Sequence, residues 1–97
     1  MKIISLPRRA GKTTEAVKES AKTGKYILVL NKQQAKYVFT QAQSLGLHIL
    51  FPITIDEVLK SSDLPIKEVI VDEAGVILEY LIRKKITMMT ITKEEDK

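Results

Sequence analysis

The sequence predicts an α/β domain, a three-layer sandwich in which helices cover both faces of a mostly parallel central sheet of about five strands. Three observations predict this class. Short runs of β-branched and apolar residues alternate with longer runs of good helix formers. The run at 26–31 is apolar throughout, which is typical of a strand covered on both faces. The length of 97 residues suits one domain, which we assign to 1–92, with 93–97 as a charged, frayed tail.

The predicted elements alternate from one end of the domain to the other. A helix over 12–23 ends at Gly24, a suitable C-cap, and Asn31 with Gln34 forms a capping box for a second helix that ends before Gly46. Thr54 and Glu57 form another capping box. Strands are predicted at 2–6, 26–31, 47–51, 66–73 and 86–92, and helices at 12–23, 32–45, 54–62 and 74–84. Alternation of this kind favours parallel strands joined by right-handed crossovers.

Composition excludes several kinds of site. The chain has no cysteine, so disulfides, cysteine-bound metals and thiol nucleophiles are excluded, and a single histidine, His48, cannot form an imidazole cluster. No apolar run reaches 18 residues, and the apolar stretch at the amino terminus is too short for a signal peptide, so we expect a cytoplasmic protein. A net charge of +4 suits phosphates or nucleic acid without requiring either.

The segment LPRRAGKTT, 6–14, is a partial match to the phosphate-binding pattern G-x-x-x-x-G-K-[ST], with Leu6 in place of the first glycine. It lies between the first predicted strand and helix, where backbone N–H groups and the positive end of the helix suit a triphosphate. We expect Lys12 to contact the β- and γ-phosphates and Thr13 to ligate Mg²⁺. The predicted nucleotide-binding residues are Pro7, Arg8, Arg9, Ala10, Gly11, Lys12, Thr13 and Thr14. The alternative is an ordinary junction between a loop and a helix.

The run VIVDE, 69–73, is an apolar strand that ends in two adjacent carboxylates, the context of a Walker B motif. We expect Asp72 to hold Mg²⁺ through water and Glu73 to polarise the attacking water, because phosphoryl transfer depends on positioning and charge neutralisation. The alternatives are a solvated strand end and an N-cap for the next helix.

With both motifs in order, the chain resembles P-loop NTPases of the additional-strand type, especially the ATPase core of phage terminase large subunits and related helicase motor domains. The resemblance is carried by RRAGKTT, YILVLNKQQAKYV, ITIDEVL, VIVDEAG and ITMMTIT. It implies a P-loop NTPase-like fold, with Arg8 or Arg9 as an arginine that acts on the γ-phosphate and Thr90 or Thr92 as a sensor of that phosphate. Those motors have further strands and a second lobe, whereas five residues follow Thr92 here.

The sequence therefore predicts a minimal, Mg²⁺-dependent protein that binds and hydrolyses ATP, of phage type and linked to DNA metabolism or packaging. Its candidate partners are DNA, further copies of itself and a larger protein. One alternative is a non-catalytic nucleotide-binding or regulatory module that acts on a partner ATPase. Another is a small nucleoside or nucleotide kinase, although the sequence shows no arginine-rich lid, and the cysteine zinc site of type II thymidine kinases is absent.

Other residues have structural alternatives to a functional role. The predicted helix end carries Arg83, Lys84 and Lys85, which either contact nucleic acid or interact with the helix dipole. Asn31 either caps a helix or, with its neighbours Lys32 and Gln33, contacts a nucleic-acid backbone. We expect His48 to lie in the core or at a strand edge rather than to bind a ligand. Five aromatic residues fall at packing positions, and we expect at least four in the core: Tyr26, Tyr37, Phe39, Phe51 and Tyr80.

Overall fold

A computed structural model describes residues 11–61 and 63–90 of the chain. Within these residues the fold is α/β, with four helices and one sheet of three parallel strands. The elements in chain order are α1 (Lys12–Thr23), β1 (Tyr26–Val29), α2 (Lys32–Ser44), β2 (Ile53–Thr54), α3 (Ile55–Lys60), β3 (Val69–Val71) and α4 (Ala74–Ile82).

The ends of the first two helices follow local signals in the sequence, as predicted. Gly24 adopts a left-handed conformation, φ 76°, and its N–H donates to the carbonyl of Ser20 at 2.8 Å, which ends α1. The side chain of Asn31 accepts a hydrogen bond from the N–H of Gln34 at 2.9 Å, which begins α2. The capping role predicted for Asn31 is therefore confirmed, but the return bond from the Gln34 side chain that would complete the predicted capping box is not present.

Helix α3 begins with the predicted capping box. The N–H of Glu57 donates to Thr54 Oγ1 at 3.2 Å, and the N–H of Thr54 donates to Glu57 Oε1 at 3.0 Å. The hydrogen bond from the Thr54 backbone lowers the pKa of the Glu57 carboxyl, with a smaller lowering from Lys32, whose Nζ lies 3.3 Å from Glu57 Oε1. Two reciprocal bonds thus turn the chain from β2 directly into a helix.

Strand β1 lies at the centre of the sheet, with the order β2-β1-β3. Its register pairs Leu28 with Ile53 on one side and Ile27 with Ile70 on the other. Helices α1 and α2 pack against β1, and the buried side chains they share with it form one core cluster: Ala16, Val17, Ile27, Val29, Ala35, Val38 and Ala42. The carboxyl ends of β1 and β3 therefore lie at one edge of the sheet, above this core.

The five-strand expectation is not met in 11–61 and 63–90, and two strand predictions are wrong there. Residues 47–51 form no strand; β2 begins only at Ile53, after the buried Pro52, which has no N–H to donate to a neighbouring strand. Residues 86–90 also form no strand, because high β propensity does not make one without a paired neighbour. The first predicted strand, 2–6, and the tail, 93–97, lie outside the described residues.

The prediction that at least four of the five aromatic residues lie in the core is also wrong. Tyr37, Phe51 and Tyr80 are exposed, because the apolar core is filled by small aliphatic side chains of α1, α2 and β1. The rings of Phe39 and Phe51 instead pack on each other near the surface, with centroids 5.3 Å apart. His48 is also exposed. These side chains are therefore available to solvent rather than fixed in the interior.

Candidate functional site

The amino-terminal end of α1 forms the first half of the candidate site. Gly11 adopts a left-handed conformation, φ 93°, which glycine reaches without strain, and it gives α1 no side-chain cap. Lys12, Thr13 and Thr14 occupy the first turn, whose leading N–H groups have no partner within the helix. This turn therefore presents backbone donors, a hydroxyl and an ammonium group together.

The carboxyl end of β3 forms the second half. The N–H of Asp72 donates to the carbonyl of Leu28 at 3.3 Å, which extends the β1–β3 ladder by one bond and fixes the aspartate at the sheet edge. The hydroxyl of Thr13 donates to Asp72 Oδ2 at 3.1 Å, across 59 positions of sequence. The fold therefore brings the two predicted Mg²⁺ ligands into direct contact.

Asp72 is a buried carboxylate, with 5% of its surface exposed. Burial raises the pKa of this carboxyl and the negative charge of Glu73 adds to the rise, while the Thr13 hydrogen bond and the charge of Lys12 oppose it. The pKa is raised on balance. The Thr13 hydrogen bond and the Lys12 charge therefore only partly replace the hydration that the ionised carboxylate loses on burial. A cation bound to Asp72 would supply the missing compensation.

Glu73 forms an ion pair with Lys12. The distance between Lys12 Nζ and Glu73 Oε1 is 2.9 Å, and the two side chains are 31% and 44% exposed. The ammonium group expected to contact phosphate is therefore held by the carboxylate expected to activate water. Both remain accessible to solvent, so either partner can be exchanged for a ligand.

The backbone at Glu73 is left-handed, with φ 61° and ψ 57°. Such a conformation is uncommon for a residue with a side chain and is concentrated at functional sites. Glu73 is the N-cap residue of α4, but its side chain makes no capping hydrogen bond. Glu73 therefore holds the N-cap position without capping the helix through its side chain: Asp72 contacts Thr13, and Glu73 contacts Lys12.

The oxygen donors at this site fit Mg²⁺. A hydroxyl and a carboxylate are hard ligands, and Mg²⁺ is usually held by one or two carboxylates together with substrate phosphates and water. In the part of the chain that the structure describes, no group of three or more His, Cys, Asp or Glu side chains could form a complete protein cage. The pair Thr13 and Asp72 matches a metal that arrives with its phosphate ligand.

Of the remaining predicted site residues, the structure describes two, Thr14 and Thr90. Pro7, Arg8, Arg9, Ala10 and Thr92 lie outside the described residues. Thr14 is half-buried in the first turn of α1, while Thr90 is exposed in a segment without regular structure.

A groove beside α4 was not anticipated from the sequence. It is lined by Leu30, Val76, Glu79, Tyr80, Arg83, Lys84 and Lys85. The signal that could have indicated it is that α4 is apolar on nearly every side, whereas a helix that faces solvent usually has one polar side.

No helix in 11–61 or 63–90 is long and apolar enough to cross a membrane. Comparison with known proteins finds no matching family model, no matching curated protein and no matching solved structure.

Proposed function

We propose that the chain binds ATP as its Mg²⁺ complex and hydrolyses it. The observation that supports this most is the 3.1 Å hydrogen bond between Thr13 and Asp72, which joins the end of the phosphate-loop motif to the end of the acidic strand. The two motifs lie 59 positions apart in the sequence, and their contact supports a shared nucleotide site.

Each residue has a role that follows from its chemistry. The first-turn N–H groups of α1 and the left-handed Gly11 allow phosphate oxygens to approach the backbone closely. Lys12 neutralises charge on the β- and γ-phosphates. Thr13 and Asp72 would hold Mg²⁺, which would supply charge neutralisation for the transferred phosphoryl group. Glu73 accepts a proton from, and orients, the attacking water.

The Lys12–Glu73 ion pair implies an exchange when nucleotide binds. Lys12 Nζ lies 2.9 Å from Glu73 Oε1, so this carboxylate and a phosphate would compete for the charge and the three N–H donors of one ammonium group. A bound γ-phosphate would draw the ammonium group toward its own oxygens and release the carboxylate. Glu73 would then be free to accept a proton from water, so substrate binding favours release of the base.

A second function, a non-catalytic nucleotide-binding module that regulates a partner ATPase, has one observation in its favour. Lys12 and Glu73 are partly exposed, so nothing in the described residues shields the reaction from bulk water. Hydrolysis by such a site would depend on a second surface that closes over it, contributed by a partner or a further copy.

The finer features of the proposal come partly from the sequence pattern and partly from the resemblance to phage terminase and helicase motors. The pattern supports a three-layer sandwich and a cytoplasmic location, and the resemblance supports a P-loop NTPase-like fold, a role in DNA metabolism or packaging, an arginine at Arg8 or Arg9, and a sensor at Thr90 or Thr92. Each is a separate proposal, and the Thr13–Asp72 contact does not depend on any of them.

Calorimetry tests the binding step. ATP, GTP and ADP are titrated into the protein with and without Mg²⁺, and Lys12→Ala is compared with Lys18→Ala, an exposed lysine of the same helix. We expect Mg²⁺-dependent binding of ATP that Lys12→Ala weakens at least tenfold and Lys18→Ala leaves unchanged. Equal binding by parent and Lys12→Ala would refute the site.

Turnover distinguishes the two functions. Phosphate release is measured over a range of protein concentrations, with and without DNA at two salt concentrations. A rate per molecule that rises with concentration or DNA and is lost in Glu73→Gln supports the ATPase. Tight binding of ATP with no turnover under any of these conditions supports the regulatory module.

A further inference from the structure

The groove beside α4 combines a basic rim with an apolar floor. Its volume is about 460 Å³. It is a shallow, open depression, and we call its apolar lining residues, Leu30, Val76 and Tyr80, the floor and its consecutive cations, Arg83, Lys84 and Lys85, the rim. Its one carboxylate, Glu79, accepts a hydrogen bond from the backbone N–H of Ile86 at 2.6 Å. That bond folds the segment after α4 back on the helix, which holds the cations beside the floor.

The helix dipole accounts for Arg83 at most, and not for the two cations that follow it. Helix α4 ends at Ile82, its last turn contains no basic residue, and Arg83 is the C-cap in a left-handed conformation, φ 56°. The dipole effect falls off within the last turn, so Lys84 and Lys85 lie beyond it. Among the residues that the structure describes, ion pairs engage Lys12, Lys25 and Lys32 but none of the three rim cations.

Tyr80 is held in place as part of the floor. Its hydroxyl donates to Asp56 Oδ1 of α3 at 3.3 Å, while 43% of the residue remains exposed. Anchoring one end of an aromatic side chain lowers the entropy lost when a planar group packs on it. With Leu30 and Val76 beside it, Tyr80 gives the groove a surface suited to a flat, apolar ligand group.

The groove and the candidate nucleotide site each include a residue that follows the carboxyl end of a parallel strand. Leu30 follows β1 directly, and Asp72 follows β3, which is parallel to β1. Helix α4 begins at Ala74, next to Glu73, and reaches the groove with Val76 and Tyr80. An extended ligand in the groove would therefore lie along the helix that starts at the proposed catalytic carboxylate.

We propose that this groove binds single-stranded nucleic acid, with phosphates on Arg83, Lys84 and Lys85 and an unstacked base on Tyr80. A single strand carries a repeating negative charge that complements the rim cations and exposed planar bases that complement the Tyr80 floor. Proteins usually bind single strands in basic grooves that contain aromatic side chains. A net charge of +4 favours the encounter. The proposal goes beyond the proposed function and does not rest on it.

The chemistry of the groove favours this ligand over two others. A duplex would present phosphates to the rim but keep its bases stacked inside, which would leave the Tyr80 floor without a partner. An acidic peptide would neutralise the cations, but its carboxylates do not provide the flat apolar face that the floor requires. Both become alternatives that the experiment separates.

The test is fluorescence anisotropy of the nucleotide-free protein with labelled oligo-dT of 20 nucleotides, a 20-base-pair duplex and poly-glutamate, from 50 to 200 mM salt. The groove variant is Arg83→Asn/Lys84→Gln/Lys85→Gln, in which Asn is chosen because it tolerates the left-handed backbone of Arg83. The matched control is Lys18→Gln/Lys36→Gln/Lys67→Gln, which removes the same charge from exposed lysines outside the groove.

We expect oligo-dT to bind more tightly than either competitor. The groove variant should bind at least tenfold more weakly, with a salt slope shallower by about 2, since each phosphate contact on a single strand contributes about 0.7. Tyr80→Leu, which keeps an apolar floor, should also weaken binding about fivefold or more. Lys12→Ala should bind oligo-dT as the parent does, which separates this groove from the nucleotide site.

Three results would overturn the proposal. Equal losses in the groove variant and the control would show attraction by net charge alone. Tighter binding of the duplex or of poly-glutamate would assign the groove to that ligand class instead. Absence of oligo-dT binding at 50 mM salt, with circular dichroism showing a folded parent protein, would show that the groove does not take nucleic acid.

Discussion

The ion pair between Lys12 and Glu73 predicts an unexpected effect of Glu73→Gln. Because Glu73 and the nucleotide phosphates both attract the Lys12 ammonium group, Glu73 competes with the nucleotide. The substitution removes the competing charge and keeps the shape of the side chain. We therefore expect the variant to bind ATP more tightly than the parent while hydrolysing it about 10²–10⁴-fold more slowly, the usual loss for a general base.

The size of the affinity gain follows from the geometry of the pair. Two unit charges 2.9 Å apart attract each other by about 1.4 kcal/mol in water. Exposures of 31% and 44% place the pair near the surface, where fixing the side chains and screening reduce the net value to about 0–1 kcal/mol. One kcal/mol is about fivefold in a dissociation constant, so the gain should be at most about fivefold.

Calorimetry with a non-hydrolysable ATP analogue and Mg²⁺ measures this gain, and phosphate release measures the loss of turnover. The matched control is Glu68→Gln, which removes a carboxylate from another surface ion pair, with Lys25 at 3.4 Å. The control should change neither quantity. If Glu73→Gln bound the analogue more weakly than the parent, the carboxylate would assist binding rather than compete with it, and the proposed exchange would be wrong.

Three further substitutions test other parts of the structure. Asp72→Asn should raise the melting temperature at neutral pH and abolish Mg²⁺ dependence of ATP binding. Since burial raises the pKa of Asp72, the folded parent holds this proton more tightly than the unfolded chain. The parent should therefore lose stability as pH rises from the ordinary aspartate pKa through the raised one, and thermal unfolding of the variant should lack this dependence. Ile27→Ala should lower the free energy of unfolding, measured by urea denaturation, by about 2–5 kcal/mol, because the side chain is fully buried. Its control is Leu59→Ala: Leu59 is 67% exposed, so this change should alter the free energy of unfolding by less than about 0.5 kcal/mol. Asn31→Ala should cost about 1 kcal/mol by the same measurement, and Asn31→Ser, which keeps an acceptor oxygen, should recover most of it.

Local signals in the sequence predict the helices better than the sheet. Gly24, Asn31 and the Thr54–Glu57 pair act through hydrogen bonds within a few residues, so their effect can be read directly from the sequence. Strand boundaries depend on which strands pair. The register that starts β2 at Ile53 is set by its neighbour β1, and the order β2-β1-β3 has no local signature at all.

The same distinction applies to the candidate site. The residue types of Lys12, Thr13, Asp72 and Glu73, and their positions next to predicted strands, are enough to indicate these four as site residues. The sequence does not indicate which of their side chains pair, because the partners are about 60 positions apart and meet only through the tertiary fold. The sequence also does not show that the backbone of Glu73 is left-handed or that the pKa of Asp72 is raised, since both depend on the surrounding packing.

The parallel pairing of β1 with β3 has a consequence for the order of folding. Tyr26 pairs with Val69, and the chain between these two residues contains α2, β2 and α3. This whole segment has to be closed into a loop when β3 pairs with β1. Parallel contacts so distant in sequence form slowly, because closing the intervening loop costs entropy before any contact compensates for it. We therefore expect Thr13 to meet Asp72 late, after α1 and α2 have packed on β1. A chain emerging from the ribosome would build its hydrophobic core first and acquire the complete constellation only after β3 has docked.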